Sequence, residues 1–351
     1  MMNKQNPKYW CHTCNIDLQS SKSLEEHNTG RRHANLSIGQ AKPPKKERMP
    51  PPIDEADLFE LISRGHFQNV VILTGAGVST AAGIPDFRSP GGLFETLRTK
   101  FGKKYPFVYD SPETLLSRNF VTAHPDVYQY EILPLLEDLG KSFRSGSSSI
   151  QPTLTHRFCA WLNEKGWLRR VYTQNVDGLH LHPTLNIEKE KVVECHGSMI
   201  DGNPVLYGDD LPQRFYDCCD LDFDQIIPKN ASDSSAGTVD LILVFGTSLQ
   251  VFPFCAVPNL VPRGCTRVIV NRCLEHCLIE KEETPAYRRQ MPRRVRIGKR
   301  RSVSMQNLWT GREGNTRWRQ LLIESDCDDF VQRFNSVVND ESHEEERYVA
   351  R

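Results

Sequence analysis

A chain of 351 residues is long enough for one large domain with a substantial core and an accessory module. Its 44 basic and 44 acidic residues cancel, so whole-chain charge singles out no partner, and 11 cysteines, an odd number unevenly spread, do not suit a secreted disulfide framework. No apolar run approaches the ~18 residues that span a bilayer, and the polar start MMNKQNPKYW lacks the apolar core of a signal peptide, so the expectation is a reduced intracellular compartment with no membrane.

Residues 9–36 form a compact Cys/His unit. Cys11-x2-Cys14-x12-His27-x5-His33 has the ligand spacing of a Cys2His2 zinc finger. Two thiolates from a short knuckle or hairpin and two imidazoles from a helix bent at Asn28-Thr29-Gly30 can reach one tetrahedral Zn2+. The gap before His33, with Gly30-Arg31-Arg32, resembles matrin-type fingers, which implies RNA, above all duplex RNA, or DNA as the partner. Lys8, Lys22, Arg31 and Arg32 would then contact phosphate. A protein-docking knob is the rival reading. Residues 37–52, ending in AKPPKKERMPPP, have the composition of an extended linker.

From Asp54 a helical pattern, DEADLFELISRG, leads into Val70–Leu73, an apolar run that reads as a buried parallel strand. Gly75, Gly77 and Ser79 follow, and Val78 to Ala82 can begin a helix. A strand feeding through glycines into a helix N-terminus turns backbone N–H groups toward phosphate. The third glycine, Gly83, comes six residues after Gly77, which departs from GxGxxG and leaves a plain tight turn as the rival. The continuation Gly83-Ile84-Pro85-Asp86-Phe87-Arg88 adds an acid, an aromatic ring and a guanidinium beside that loop. Further strands are predicted at Leu168–Thr173, Leu241–Phe245 and Arg267–Asn271, with helical stretches such as Thr155–Lys165 between them. That alternation predicts an α/β fold, a parallel sheet with helices on both faces. Residues 276–306 break the rhythm as a basic insertion predicted to be disordered. Within it RRQMPRRVRIGKRR holds eight basic residues and no acid, suiting nuclear import or polyanion binding, with a self-repelling solvated loop as the rival. A last helix is predicted from about Asp328 to Val338, and residues 338–351 form an acidic tail.

Four further polar motifs follow, three of them at the ends of predicted strands: Thr173-Gln174-Asn175-Val176-Asp177-Gly178-Leu179-His180, Glu194-Cys195-His196-Gly197-Ser198, Phe245-Gly246-Thr247-Ser248-Leu249-Gln250-Val251, and Val270-Asn271. Ser325-Asp326-Cys327-Asp328-Asp329 comes near the end. Each alone would be a loop cap. In this order, and with the Gly75 loop, they resemble the sirtuins over residues 54–337.

That resemblance implies an inverted-Rossmann catalytic domain with a reduced small domain, and an NAD-dependent protein-lysine deacetylase that moves the acetyl group to ADP-ribose and releases nicotinamide. Carried over position by position, Gly75, Ala76, Gly77 and Ser79 would hold the pyrophosphate with help from Arg88. Asp86 and Phe87 would belong to a loop over the nicotinamide ribose, Phe87 shielding the reacting carbon from water. Gln174 and Asn175 would lie at the ribose and Asp177 at the carboxamide. Gly246, Thr247 and Ser248 would line the adenosine half, Asn271 its ribose, and the Cys327 backbone the adenine. His196 would be the base, with Asn175 and Asp177 completing the catalytic set. Val205, Leu206 and Tyr207, together with Phe87, would meet the substrate peptide. His156, His180 and His182 read as ordinary structural histidines, and Cys159, Cys255 and Cys265 as packing. A small apolar acyl group is favoured, because the Tyr/Arg pair of desuccinylating members is not evident.

One family feature is missing. Most sirtuins carry a CxxC…CxxC zinc ribbon after the HG motif, yet only Ser198 to Asn203 separate Gly197 from Pro204, and no CxxC follows Cys14. Cys218, Cys219, Cys273 and Cys277 are a poor substitute. Three readings stay open: a compact active enzyme, a degenerate NAD or ADP-ribose binder, or a sequence lacking an exon. Mono-ADP-ribosyl transfer and a nucleic-acid or chromatin adaptor are the alternative functions. The expected partners are NAD, Zn2+ in the finger, an acetylated protein such as a histone, and RNA or DNA. The expected address is the nucleus, otherwise the cytoplasm.

Overall fold

Val70 to Leu73 show no polar alternation, so a strand built from them needs cover on both faces, and the computed structural model supplies it. The structure describes residues 10–11, 16–17, 53–84, 87, 91–144, 150–201, 203–223, 238–262, 264–274 and 319–349. The chain divides into two units, residues 1–49 and 50–351. In the first, β1 (Trp10–Cys11) pairs antiparallel with β2 (Ile16–Asp17), Cys11 opposite Ile16, where the finger's hairpin is expected. Cys14, His27 and His33 lie outside the described residues, as do the linker 37–52, the insertion 276–306, Asp86 and Arg88.

The second unit is built on a six-stranded sheet of β3 (Val70–Thr74), β4 (Leu168–Thr173), β5 (Val192–Glu194), β8 (Leu241–Phe245), β9 (Thr266–Asn271) and β10 (Arg319–Glu324). Every pairing is parallel and the order is β10-β9-β8-β3-β4-β5. Counted by appearance in the sheet, that is the 3-2-1-4-5-6 order of a doubly wound dinucleotide fold, with its switch point between β3 and β8. Successive side chains go to opposite faces. Val70, Ile72, Val171, Leu243 and Val268 join a core closed by α1 (Glu55–Ser63), α5 (Leu154–Glu164) and the start of α7 (Cys327–Val349). Val71, Leu73, Tyr172, Ile242 and Ile269 join the opposite core, under α6 (Gln213–Phe223). Val70 to Leu73 are all 0 % exposed, and each such burial is worth roughly 1.5–3 kcal/mol.

A smaller lobe is assembled differently. It comprises α2 (Leu93–Phe101), the 3-10 turns Pro106–Tyr109 and Pro112–Leu116, α3 (Arg118–Ala123), a π-helical turn Tyr128–Ile132 and α4 (Leu133–Arg144). Phe94, Leu97, Phe101, Leu115, Phe120 and Ile132 form its core, and Val176 and Met199 enter that core from the sheet side. Met199 lies in a four-residue loop between β6 (Gly197–Ser198) and β7 (Asn203–Pro204), which pair as a hairpin.

The central strands fall where the sequence places them. β5 and β10 were not expected: one is three residues long, and the other, RQLLIE, follows a basic stretch and reads as mixed. The helix expected from Val78 to Ala82 is replaced by two 3-10 turns, Ala76–Val78 and Thr80–Ala82. Thr80 Oγ1 donates back to the Gly77 carbonyl at 3.1 Å, and Gly83 ends the turn at φ +84°, so no α-helix propagates. The final helix runs on to Val349, past the expected Val338.

Candidate active site

The carboxyl ends of β3, β4 and β8 lie side by side at the switch point, so the three motif-bearing loops leave the sheet next to one another. Two of these loops touch through backbone alone. Gly75 donates to the Phe245 carbonyl at 3.0 Å and Gly77 to the Gly246 carbonyl at 2.9 Å. A Cβ on Gly77 would sit 2.7 Å from Gly246 Cα, and one on Gly75 would sit 2.6 Å from Thr247 Cβ. The glycines of this loop are therefore required first by protein-to-protein approach.

Beyond that contact the polar side chains converge. Ser79 Oγ donates to Asp177 Oδ2 at 2.7 Å, and Asn175 Nδ2 donates to Ser79 Oγ at 3.0 Å. The Leu179 amide donates to Asp177 Oδ1 at 2.9 Å. Thr247 Oγ1 donates to Gln174 Oε1 at 2.6 Å, and the Leu249 amide donates to Thr247 Oγ1 at 3.1 Å. Ser79, Asn175, Asp177 and Thr247 are all buried. Burial pushes the Asp177 carboxyl up, while the Ser79 hydroxyl and the Leu179 amide pull it back. Residues 98 positions apart thus form one network.

His196 stands at the start of β6. The Gln174 backbone lies against its ring, while Nε2 is buried with no hydrogen-bond partner among the described residues. With the proton on Nδ1, the neutral ring keeps the Nε2 lone pair free. Burial lowers its pKa to about 4, so the ring is neutral at physiological pH. Phe254 flanks it at 6.3 Å between centroids. Glu194, two residues earlier, is pushed up to about 6 by burial and by Asp201 and Asp177; the sequence reading gave it no role.

The other expected residues fall around this centre less evenly. Phe87 stacks on Phe94, centroids 6.1 Å apart, and its carbonyl accepts from the Phe94 amide. Asn271 ends β9 with Nδ2 on the Cys273 carbonyl and Oδ1 on the Arg272 amide. Cys327 opens α7 with its thiol buried against β9, so only its backbone is presented. Ser248 is partly buried and Ala76 opens the first 3-10 turn. Val205 donates to the His196 carbonyl at 2.8 Å, which ties the expected peptide strand to the base.

Sequence reasoning missed a polar chain beneath the loop. Thr153 Oγ1 donates to the Val78 carbonyl at 2.9 Å and meets His156 Nδ1 at 2.8 Å. His156 packs on His180, ring centroids 4.5 Å apart, and His180 Nε2 meets Thr74 Oγ1 at 2.9 Å. Burial holds both imidazoles neutral, His180 at about 3. These histidines are structural, as expected. Cys159, Cys255 and Cys265 are buried, as are Cys218 and Cys219 beside Cys195, and no group of three or more metal-ligating side chains occurs among the described residues.

A doubly wound sheet with a buried polar network at its strand ends, and an imidazole beside that network, is the arrangement in which such folds hold a dinucleotide. Comparison with known proteins narrows this. Residues 75–205 match the Sir2 family and residues 9–33 match the zinc-finger of C2H2 type. NAD-dependent deacetylase sir2D of Dictyostelium discoideum is 33% identical over 58% of this chain and 39% of its own length. NAD-dependent protein deacetylase sirtuin-2 of Danio rerio is 30% identical over 60% and 57%, and sirtuin-3 of Mus musculus 31% over 62% and 66%. The chain spans between about two fifths and two thirds of the length of these relatives. The matches thus mark a Sir2-like segment and a C2H2 zinc-finger-like segment in this chain. The orphaned His196 Nε2 and the Ser79–Asn175–Asp177 network suit NAD, and two thiols with two imidazoles suit Zn2+.

Proposed function

We propose that this chain is an NAD-dependent protein-lysine deacetylase. The observation that carries the reading is His196: a neutral, partly buried imidazole whose Nε2 has no hydrogen-bond partner among the described residues, lying against Gln174 next to the Asn175–Ser79–Asp177 network. When bound, NAD supplies the ribose carbon that the acyl oxygen joins as nicotinamide leaves. Asn175 holds the ribose side of the site, Ser79 braces it from the phosphate loop, and Asp177, fixed by two hydrogen bonds, orients the carboxamide. Phe87 covers the reacting face from water. His196 takes a ribose hydroxyl proton at Nε2, a transfer typically worth ~10²–10⁴ in rate. On the Val205–Tyr207 edge, the Leu206 amide is offered to the acyl-lysine peptide.

Incubation with NAD and an acetyl-lysine peptide tests this. Acetyl-dependent nicotinamide release that His196→Ala lowers by about 10²-fold or more, with NAD binding retained, is the expected result. Labelled ADP-ribose on protein would assign the site to mono-ADP-ribosyl transfer. Silence in both assays, with NAD still bound, would leave a binding adaptor. The finger and the Arg-rich stretch 288–301 support a nuclear protein that is drawn to nucleic acid and acts on a histone-like substrate. Loss of duplex-RNA retention in a Cys11→Ala, Cys14→Ala variant is the expected outcome; unchanged retention would remove the finger from that role.

A further inference from the structure

The strand expected to pair with substrate is held from behind by the segment Leu116–Arg118. Ser117 and Tyr207 form an isolated parallel bridge: the Tyr207 amide donates to the Leu116 carbonyl at 2.9 Å, and the Arg118 amide donates to the Tyr207 carbonyl at 2.9 Å. Both backbone groups of Tyr207 thus face the small lobe. By the period-2 geometry of an extended chain, the Leu206 amide faces the other way, and among the described residues no hydrogen bond engages it. That edge is where a substrate backbone can add.

After Tyr207 the chain turns back at once. The Asp209 amide donates to the Leu206 carbonyl at 3.0 Å, with Gly208 at φ +94°, the left-handed conformation that the third position of a type II turn demands. The turn delivers Asp209 to Arg118, whose Nε reaches Oδ1 at 2.7 Å and whose Nη2 reaches Oδ2 at 2.6 Å. Arg118 therefore grips this segment twice, by its amide before the turn and by its guanidinium after it. The two groups hold each other charged: the carboxylate raises the guanidinium pKa, and the guanidinium lowers that of Asp209. Tyr128, from the π-helical turn, lies beside the pair.

We infer that Arg118 and Asp209 are a positioning pair for substrate, a clasp that fixes the Val205–Tyr207 edge in the register a peptide backbone must meet. The inference rests on the deacetylase reading, since it assigns the peptide to that edge. Neither side chain touches the reacting atoms; the clasp acts through the strand. Arg118 is about half exposed, so salt weakens the grip.

The test is steady-state kinetics on the full chain with an acetyl-lysine peptide of uncharged flanks, varying peptide and NAD separately. Arg118→Ala and Asp209→Asn should each raise the peptide KM by about 3–10-fold. The NAD KM and kcat should stay within about twofold. Added salt should raise the wild-type peptide KM and leave that of Arg118→Ala flat. The double exchange Arg118→Asp, Asp209→Arg should recover part of the loss, which a merely structural defect would not. An unchanged peptide KM in Arg118→Ala, or equal rises in both KM values, overturns the clasp. If the wild type turns over no acetyl-lysine, the function reading falls, and calorimetric titration with the same peptide in the presence of NAD still judges the clasp. Weaker binding by Arg118→Ala upholds it; equal binding, or none by the wild type, overturns it.

Discussion

The two halves of the cleft are made by different means. On the sheet side, the loops after β3 and β8 meet backbone to backbone, Gly75 on Phe245 and Gly77 on Gly246, with no side chain in between. On the lobe side, α2, α3 and the hairpin β6–β7 meet through rings and chains: Phe87 on Phe94, Met199 among Phe94, Leu97 and Val176, Arg118 on Asp209. Backbone contacts admit one residue type and no adjustment. Side-chain contacts can repack. The cofactor half should therefore fail abruptly under substitution, and the lobe half by degrees.

The largest effect expected is at Gly77. Both atoms nearest a new Cβ are backbone, at 2.7 and 2.9 Å, so neither can swing away. Gly77→Ala should cost about 3 kcal/mol and abolish NAD binding, read by denaturant unfolding and calorimetry. Retained NAD affinity would show that the two loops can part, and the contrast would collapse. Met199→Ala comes next. Its side chain is 6 % exposed in the lobe core, and truncation should cost about 2 kcal/mol, whereas Met199→Leu should cost under about 1.5 kcal/mol. If Leu proves as damaging as Ala, the lobe is as intolerant as the loop.

The smallest effect is graded and set by pH. His156 and His180 are neutral in the folded chain, His180 at about 3, against about 6.5 when unfolded. The folded state thus binds fewer protons in that interval, and stability falls with pH there. Their contribution is complete above about 6.5 and drains away as the pH falls toward about 3. Melting temperatures should drop steadily from pH 7 to pH 5, while kcat/KM per folded molecule holds over that range because His196 protonates only near about 4. A rate that falls by tenfold between pH 7 and 6 with melting unchanged would place a different group in the base's role.

Much of the cofactor half was legible because each motif follows an apolar run. Val70–Leu73 and Leu241–Phe245 are buried on both faces, and the residues after them turn abruptly to Gly, Ser and Thr, so strand end and site are read together. The glycines were legible as a turn, but their reason, the approach of Gly246, is a contact across 169 positions that no local pattern encodes. Edge strands escaped for a related cause: β5 has three residues and β10 mixes charge with apolar positions, since an edge is half-covered and carries less of the burial signal. The lobe was least legible. Its short 3-10 turns and its hold on Tyr207 depend on partners such as Arg118 and Asp209, 91 residues apart. In the hairpin β6–β7, Met199 and Ile200 occupy the loop, the Met199 amide on the Val176 carbonyl and Ile200 against Gly178.

The strand order has a consequence for taking the molecule apart. Every strand from β3 to β5 lies on one side of the switch point, and every strand from β8 to β10 on the other. A cut in the chain between Phe223 and Thr238 would divide it into two pieces of unequal endowment. The first keeps Ser79, Asn175, Asp177 and His196; the second keeps Gly246, Thr247, Asn271 and Cys327. Neither owns a complete dinucleotide cradle, and they meet along β3 against β8, zipped by five residue pairs, and where α7 packs on α1 and α5. Such a molecule is a ready-made two-part reporter: the ability to hold the cofactor would exist only while the two pieces stay joined.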